Sequence, residues 1–190
     1  MNRRWLAATV GFAALFGLGF AATDALAPHP RLIWNASASA PIGLYRITSR
    51  DRYAVGDLVL ISPGPRTARF LAERRYLPMG TPLLKRIAAL PGDIVCREDD
   101  MVRINGRAAA AVLARDRWDR ALPQWSGCRT LRGGELFLLN TPPASLDSRY
   151  FGPMPASGLI GTARPLLTRD APGAPLRWRL GAPPMPPIQH

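Results

Sequence analysis

LLKRIAALPGD, residues 83–93, is the stretch that decides the fold. An apolar run, LLKRIAAL (83–90), ends at Pro91-Gly92, and a second apolar run, DIVC (93–96), follows at once. Proline and glycine in succession mark a turn, so the two runs predict two consecutive β-strands. Similar runs recur from residue 33 to residue 168, which predicts a mainly β domain over that range.

The other strand-like runs have apolar or alternating side chains bounded by turn residues. They are PIGLYRI (41–47), AVGDLVLIS (54–62), MVRINGRAA (101–109), GELFLLN (134–140) and LIGTARPLL (159–167). Asn105-Gly106 predicts a tight hairpin inside the third of these runs. RTARFLAERRYL (66–77) predicts one short helix. A Pro-rich tail follows over 169–190, in which LRWRL (176–180) predicts one edge strand.

Composition limits the chain to one core and disfavours one class of partner. With 190 residues and 47 % hydrophobic side chains, the chain can bury a single core. The formal net charge of +12 raises the question of nucleic acid, but the arginines are dispersed and no nucleic-acid motif is present. We therefore expect no nucleic-acid partner. Attraction of a membrane-proximal domain to anionic lipid headgroups explains the positive charge better, and so does a preference of the genome for arginine.

The N-terminus predicts a membrane anchor over residues 1–28. WLAATVGFAALFGLGFAAT (5–23) carries no charge, and as a helix it would span about 28 Å, close to the hydrocarbon thickness of a bilayer. Arg3 and Arg4 precede it and favour a cytoplasmic N-terminus. We expect a single-pass protein of the inner membrane whose β domain lies in the periplasm. The alternative is a cleaved signal peptide, since Ala25-Leu26-Ala27 has the A-x-A form of a cleavage site. Pro28 would follow that cleavage site directly, which disfavours cleavage there.

Two cysteines, Cys96 and Cys128, both fall in the predicted exported domain. An even number in an oxidising compartment predicts one disulfide, which would contribute about 3 kcal/mol by closing a loop. Two free buried thiols are the alternative. A metal site is disfavoured because two cysteines without nearby histidines provide too few ligands.

The chain has two histidines, and neither is placed for the common histidine-dependent hydrolase mechanisms. His29 lies beside the predicted anchor and His190 is the final residue, so neither suits a Ser-His-Asp triad or a zinc hydrolase. No metal and no cofactor are therefore expected. What remains is a serine activated by lysine, and Lys85 is the only lysine in the chain.

Lys85 has the neighbours that a catalytic lysine requires. About one free lysine in 2,500 is neutral at pH 7, and burial among apolar side chains lowers the pKa by up to about 3–5 units. Lys85 lies within the apolar run 83–90. Ser37 and Ser39 are two residues apart, so on an extended segment they point the same way. One could attack a carbonyl while the other stabilises the oxyanion. The alternative is that the two serines belong to a Ser/Ala linker without a catalytic role.

Three stretches together resemble the type I signal peptidases, the Ser-Lys family S26. They are SAS-x-P around Ser39, KR-x-x-x-LPGD around Lys85, and SLDSRYFGPMP from Ser145. The resemblance covers roughly residues 5–165. It implies a signal-peptidase-like β domain behind one N-terminal transmembrane helix.

The resemblance also implies roles for individual residues. Ser39 matches the nucleophile and Lys85 the general base, while Ser37 and the Ser39 backbone N–H match the oxyanion hole. Ser145 matches the serine that orients the lysine. The supporting residues that the resemblance implies are Asp147, Arg149 and Arg86.

Departures from the family pattern point to a subgroup. The run LLNTPPAS (138–145) lacks the two acidic residues of the usual family motif, and Pro41-Ile42-Gly43-Leu44-Tyr45 replaces the usual continuation after the nucleophile. This form is similar to the TraF-type peptidases of conjugative transfer, which mature a TrbC-type pilin and in some systems cyclise it. The implied substrate is a membrane-tethered prepilin with small apolar residues before the cut, processed beside the lipid bilayer. The alternatives are a general signal peptidase that acts on exported preproteins and an inactive, membrane-tethered assembly protein.

Overall fold

The structure, a computed structural model, describes residues 3–26 and 32–179, which belong to two separate units. The first unit contains helix α1 (Arg3–Leu26). In the described part of the chain, no helix combines the length and apolar character needed to cross a bilayer. The transmembrane anchor therefore stays a prediction. Pro28, His29 and His190 lie outside the described residues.

The second unit is built mainly from β-strands, which confirms the predicted fold class. In chain order the strands are β1 (Leu32–Asn35), β2 (Ile42–Thr48), β3 (Leu58–Ile61), β4 (Leu83–Ala89), β5 (Ile94–Glu98), β6 (Met101–Ile104), β7 (Arg107–Ala111), β8 (Gly127–Thr130), β9 (Glu135–Leu139), β10 (Met154–Pro155), β11 (Leu159–Arg169) and β12 (Arg177–Trp178). The helices are α2 (Pro65–Glu73), α3 (Ser148–Phe151) and a short 3₁₀ turn (Ala156–Gly158).

The strands form two antiparallel sheets. The larger has eight strands in the order β1-β2-β11-β3-β4-β9-β10, with β12 beside β11. The smaller has four in the order β7-β6-β5-β8. The stretch 83–93 therefore supplies β4 to one sheet and leads through a turn, with Gly92 at φ 97°, into β5 of the other. Both predicted strands are confirmed.

Strand β4 lies in the interior of the larger sheet, and this position buries its residues on both faces. It pairs with β3 on one side and β9 on the other. All of its residues except Arg86 are buried. A residue on a central strand with both faces covered is removed from water whatever its chemistry. This explains how a lysine comes to lie in the core.

Gly43 is required where β2 approaches β11. Its φ of +147° is one that L side chains rarely adopt, and an added Cβ would lie 2.1 Å from the carbonyl oxygen of Leu167. The close approach fits β2 against β11 directly after the Ser37–Ser39 segment. Glycine at this position thus fixes where the segment enters the sheet.

The larger sheet continues into the residues predicted as tail. Strand β11 extends to Arg169, so the predicted boundary at 168 falls inside it. Trp178 pairs with Leu167, which confirms an edge strand within LRWRL. Residues 180–190 of the predicted tail lie outside the described residues.

A disulfide joins Cys96 on β5 to Cys128 on β8, as predicted. The two residues are directly opposite each other in the strand pair. The bond closes a separation of 32 residues and ties the edge strand β8 to the centre of the smaller sheet.

Candidate active site

Lys85 is the buried cationic side chain at the centre of the site. It is 4 % exposed, on β4 between Leu84 and Arg86. Burial lowers the pKa of Lys85 to about 8, while the nearby Asp147 carboxylate acts to raise it and Arg149 to lower it. At that pKa about one amine in ten is neutral at pH 7, compared with about one in 2,500 for a free lysine. The structure thus supplies the partly neutral amine that the chemistry requires.

Ser145 holds the lysine amine in place. Lys85 Nζ donates a hydrogen bond of 2.8 Å to Ser145 Oγ, and both groups are buried. Ser145 lies in the turn between β9 and α3, where its backbone N–H donates to the Pro142 carbonyl at 2.9 Å. The two residues are 60 positions apart in sequence, so the pairing of β4 with β9 creates this contact.

An ion pair between Asp147 and Arg149 supports this turn. Both side chains are buried, and Arg149 Nε lies 2.8 Å from Asp147 Oδ1. The same carboxylate accepts from the backbone N–H of Asn140 at 3.1 Å and caps the N-terminus of α3. Arg149 also donates to the carbonyls of Asn140 and Ala111. Because these groups satisfy one another, the buried charges are compensated.

Asn140 is a residue that the sequence analysis missed. It follows the last residue of β9, and its side-chain amide bonds to the backbone on both sides of Lys85. Asn140 Nδ2 donates to the Leu84 carbonyl at 3.0 Å, and Oδ1 accepts from the Arg86 N–H at 3.2 Å. The side chain therefore continues the strand pairing past the end of β9 and holds the lysine-bearing backbone.

Asn35 was missed in the same way, at the other half of the site. Its buried amide donates to the carbonyls of Ser37 at 2.9 Å, Ala40 at 3.2 Å and Pro41 at 3.1 Å. Its Oδ1 accepts from the Ser37 N–H at 3.1 Å. One side chain thus folds the segment 35–41 around itself. Asparagine favours such turns, but its position four residues before Ser39 indicates this one only if the side chain is known to be buried. The sequence does not show that burial.

Ser37 and Ser39 face each other on this segment. Their hydroxyl oxygens lie 3.0 Å apart, and the Ser39 N–H donates to Ser37 Oγ at 3.3 Å. Within residues 32–179, Lys85 Nζ makes no hydrogen bond to Ser39 Oγ; its hydroxyl partner is Ser145. The structure thus shows the serine pair and the lysine–serine pair as two separate contacts.

One cavity joins the two contacts. Its volume is about 500 Å³, and Ser37, Ser39, Lys85 and Ser145 all line it. Most of the other lining residues are apolar, among them Ile33, Trp34, Leu60, Leu83, Leu84 and Leu122. A largely apolar cavity of this size with a few polar groups is typical of a ligand-binding site.

Arg86 is not among the residues that line the cavity. Its Nη1 donates to the Gly56 carbonyl at 2.6 Å, and its half-buried side chain braces the turn before β3. It contributes to the site through its backbone N–H, which donates to Asn140. In the described residues the candidate metal ligands that come together are Cys96, Glu98 and Cys128, and the disulfide already engages both sulfurs.

A mainly β domain with a serine pair and a buried, partly neutral amine on one cavity has the groups that a serine peptidase with a lysine base requires. The sequence model of the family described as "Signal peptidase, peptidase S26" matches residues 2–167. The chain belongs to this family.

Several proteins are similar to this chain over most of their length. The conjugal transfer protein TraF of Agrobacterium tumefaciens is 43 % identical over 146 residues, which are 70 % of this chain and 81 % of the relative. A plasmid transfer protein TraF of Escherichia coli is 35 % identical, with the same coverage. Among solved structures, a signal peptidase I of Enterococcus faecalis matches 60 % of this chain and 98 % of its own, at 25 % identity and a TM-score of 0.37.

Proposed function

We propose that the protein is a serine endopeptidase of a conjugative transfer system, in which Ser39 is the nucleophile and Lys85 the general base. The observation that carries the proposal is the buried Lys85 amine, held by Ser145 on the wall of the cavity that Ser39 also lines. Membership of the peptidase family and similarity to proteins named for conjugal transfer support it.

The proposed reaction begins when Ser39 exchanges its contact with Ser37 for one with Lys85. A change of side-chain rotamer redirects the Ser39 hydroxyl towards the neutral amine. Lys85 accepts the hydroxyl proton as the Ser39 oxygen attacks a peptide carbonyl, and the charged amine then returns that proton to the leaving nitrogen. The Ser37 hydroxyl and the Ser39 N–H, which share the nucleophile's side of the cavity, stabilise the oxyanion.

The resulting acyl-enzyme is resolved by water or by an amine. Water releases a linear product, whereas the substrate's own N-terminal amine would release a ring. We propose a pilin precursor of the TrbC type as the substrate, since the relatives are transfer proteins. A general signal peptidase of exported preproteins is the second candidate, and the family description favours it.

A single assay tests the proposal. Full-length wild type, Ser39→Ala and Lys85→Arg are incubated with a candidate prepilin and with a panel of secretory preproteins, and the products are weighed by mass spectrometry. We expect the wild type alone to cut the prepilin; a cyclic product would be lighter than the linear one by one water.

Matched variants control for damage to the fold. Ser126→Ala removes an exposed hydroxyl outside the cavity, and Arg107→Lys replaces one basic side chain by another at the start of β7. Both should keep full activity. Turnover by Ser39→Ala or Lys85→Arg would refute the mechanism, and cleavage of ordinary preproteins in preference to the prepilin would refute the proposed substrate. Cell fractionation tests the predicted location at the inner membrane.

A further inference from the structure

One part of the cavity lining carries arginine side chains and is held together by a network of side-chain contacts. It is formed by the residues after α2 and by the loop Arg115–Ala121, whose ends form a β-bridge. We call these residues the distal wall. Arg75, Tyr76, Asp116, Arg117 and Trp118 are its lining side chains.

Asp116 holds the distal wall together. Its carboxylate accepts from the Tyr76 hydroxyl, from Arg120 Nε at 2.7 Å, and from the backbone N–H groups of Trp118 at 2.8 Å and Arg120 at 2.9 Å. Desolvation acts to raise the pKa of Asp116, but these hydrogen bonds outweigh it and hold the pKa well below its ordinary value. Asp116 is the one acid among the described lining residues, and its charge is already compensated by Arg120.

The loop is also fastened to the end of α2 from both sides. Arg120 Nη1 donates to the Arg74 carbonyl at 3.1 Å, and Arg74 Nη1 donates to the Ala121 carbonyl at 3.1 Å. The Arg120 guanidinium lies 4.8 Å from the Tyr76 ring and 4.6 Å from the Trp118 ring. These reciprocal contacts fix the position of Trp118.

Trp118 in turn orients the Arg117 guanidinium. The guanidinium carbon lies 3.9 Å from the centre of the indole ring. Stacking uses the face of the guanidinium and leaves its N–H groups, which lie in the plane, available to an acceptor. In the described part of the chain, neither Arg117 nor Arg75 has an ion-pair or side-chain hydrogen-bond partner. A carboxylate is the group that this planar fork binds best.

We propose that the distal wall is a subsite that binds a carboxylate of the peptide substrate through Arg117, with Arg75 adding positive charge beside it. The carboxylate comes either from an acidic side chain or from the substrate's C-terminus, and the two sources share the same chemistry. The proposal rests on the proposed function and deepens it, because it assigns a substrate class to the same cavity: apolar peptides that carry one negative charge.

Binding to the inactive full-length Ser39→Ala variant tests the subsite independently of catalysis. The probes are labelled Ala/Leu/Gly peptides in which one Glu, or one Gln, is moved through each position, and each peptide has a free or an amidated C-terminus. We expect one Glu position, or the free C-terminus, to bind about five- to tenfold more tightly than its neutral counterpart. Adding salt should reduce this preference.

Variants made in the Ser39→Ala background identify the residue responsible. Arg117→Ala should abolish the preference while binding of the neutral peptides stays unchanged, and Trp118→Leu should weaken it by releasing the guanidinium. Arg107→Ala, which removes an exposed arginine outside the cavity, should leave it intact. Equal binding of all charged and neutral pairs, or a preference that survives Arg117→Ala, would overturn the subsite.

The outcome is separable from the proposed function. Cleavage by the wild type without any acidic preference in binding removes the subsite and leaves the peptidase. An acidic preference that Arg117→Ala abolishes, found in a protein that cleaves no substrate, establishes the subsite and removes the peptidase.

Discussion

Lys85 Nζ and Ser145 Oγ lie 2.8 Å apart in the core, and they join strand β4 to the turn after β9 across 60 positions of the chain. Lys85 is the only lysine of the chain. Among the described residues, Ser145 is the only side chain that is hydrogen-bonded to the Lys85 amine. In the proposed mechanism, the orientation of the base therefore depends on one hydroxyl.

The pH dependence of turnover follows from the pKa of Lys85. Because the neutral amine is the reactive form and its pKa is lowered to about 8, kcat/KM should rise with pH and level off above about pH 8. A pH–rate profile of the wild type measures this rise. A rate that is flat between pH 6 and 9 would rule out Lys85 as the base.

Ser145→Ala should lower kcat by about ten- to a hundredfold, since the amine would have no side-chain partner to orient it. Steady-state kinetics of the variant and the wild type measure this loss.

The same burial should make Lys85 costly for stability at neutral pH. Its pKa falls from 10.5 in the unfolded chain to about 8 in the folded one, so the folded state binds fewer protons between these values. The penalty, about 3 kcal/mol, is fully present below pH 8 and is relieved as pH rises to 10.5. Lys85→Met should therefore raise the free energy of unfolding at pH 7, although the unpaired Ser145 hydroxyl offsets part of the gain. The gain should shrink above pH 8 in denaturant titrations; a gain independent of pH would contradict the linkage.

Asn140→Asp should move the pH–rate profile to higher pH. The substitution keeps an acceptor for the Arg86 N–H but introduces a buried negative charge beside the lysine-bearing strand, which stabilises the protonated amine. We expect roughly tenfold lower kcat/KM at pH 7, with recovery at higher pH.

Asn105→Asp is the matched control for this change. Asn105 also bonds through its side chain, to the Ile94 N–H and to Asp93, but in the smaller sheet's hairpin. The substitution should lower the melting temperature without moving the pH–rate profile. A profile displaced equally by both variants would show that Asn140 acts only through stability.

Asn35→Asp should disturb the nucleophile rather than the base. A carboxylate cannot donate to the three carbonyls that Asn35 now satisfies, so the segment 35–41 would open and the Ser37 hydroxyl would move away from Ser39. We expect kcat to fall by about tenfold or more with little change in KM, and the pH midpoint to stay where it is. A shifted midpoint with unchanged kcat would contradict this separation of roles.

Loss of the Cys96–Cys128 bond should destabilise the protein by about 3 to 4 kcal/mol. Thermal unfolding with and without reductant measures this, and a drop of several degrees is expected. Alkylation before reduction should add no mass, whereas alkylation after reduction should modify both thiols. Modification of the unreduced protein would show that the bond does not form.

The sequence predicted what depends on neighbours along the chain. Apolar runs bounded by turn residues located β4, β5 and the Asn105-Gly106 hairpin, because alternation and turn chemistry are local properties. Strand β8 was not predicted, because all four of its residues are exposed and its sequence, GCRT, has no apolar pattern. Strand β1 was not predicted either. The burial of Lys85 was predicted correctly from its apolar neighbours.

The sequence could not predict contacts that arise from tertiary structure. Asn140 reaches the backbone beside Lys85 only because β9 ends where it does. The distal wall depends on hydrogen bonds from Arg120 to the Arg74 carbonyl and from Arg74 to the Ala121 carbonyl, which span 46 and 47 residues. The bracing role implied for Arg86 stays a prediction, and its guanidinium lies against the Gly56 carbonyl.

The hydrogen bonds of Asn35 all fall within the seven residues from 35 to 41, whereas Lys85 meets its partner across 60 residues. Local loops close in less than about a microsecond, but distant strands pair far more slowly. A newly made chain would thus form the segment around Ser39, the proposed nucleophile, before Lys85 meets Ser145. In the proposed mechanism, activity would therefore begin only after β4 and β9 have paired and placed the lysine amine.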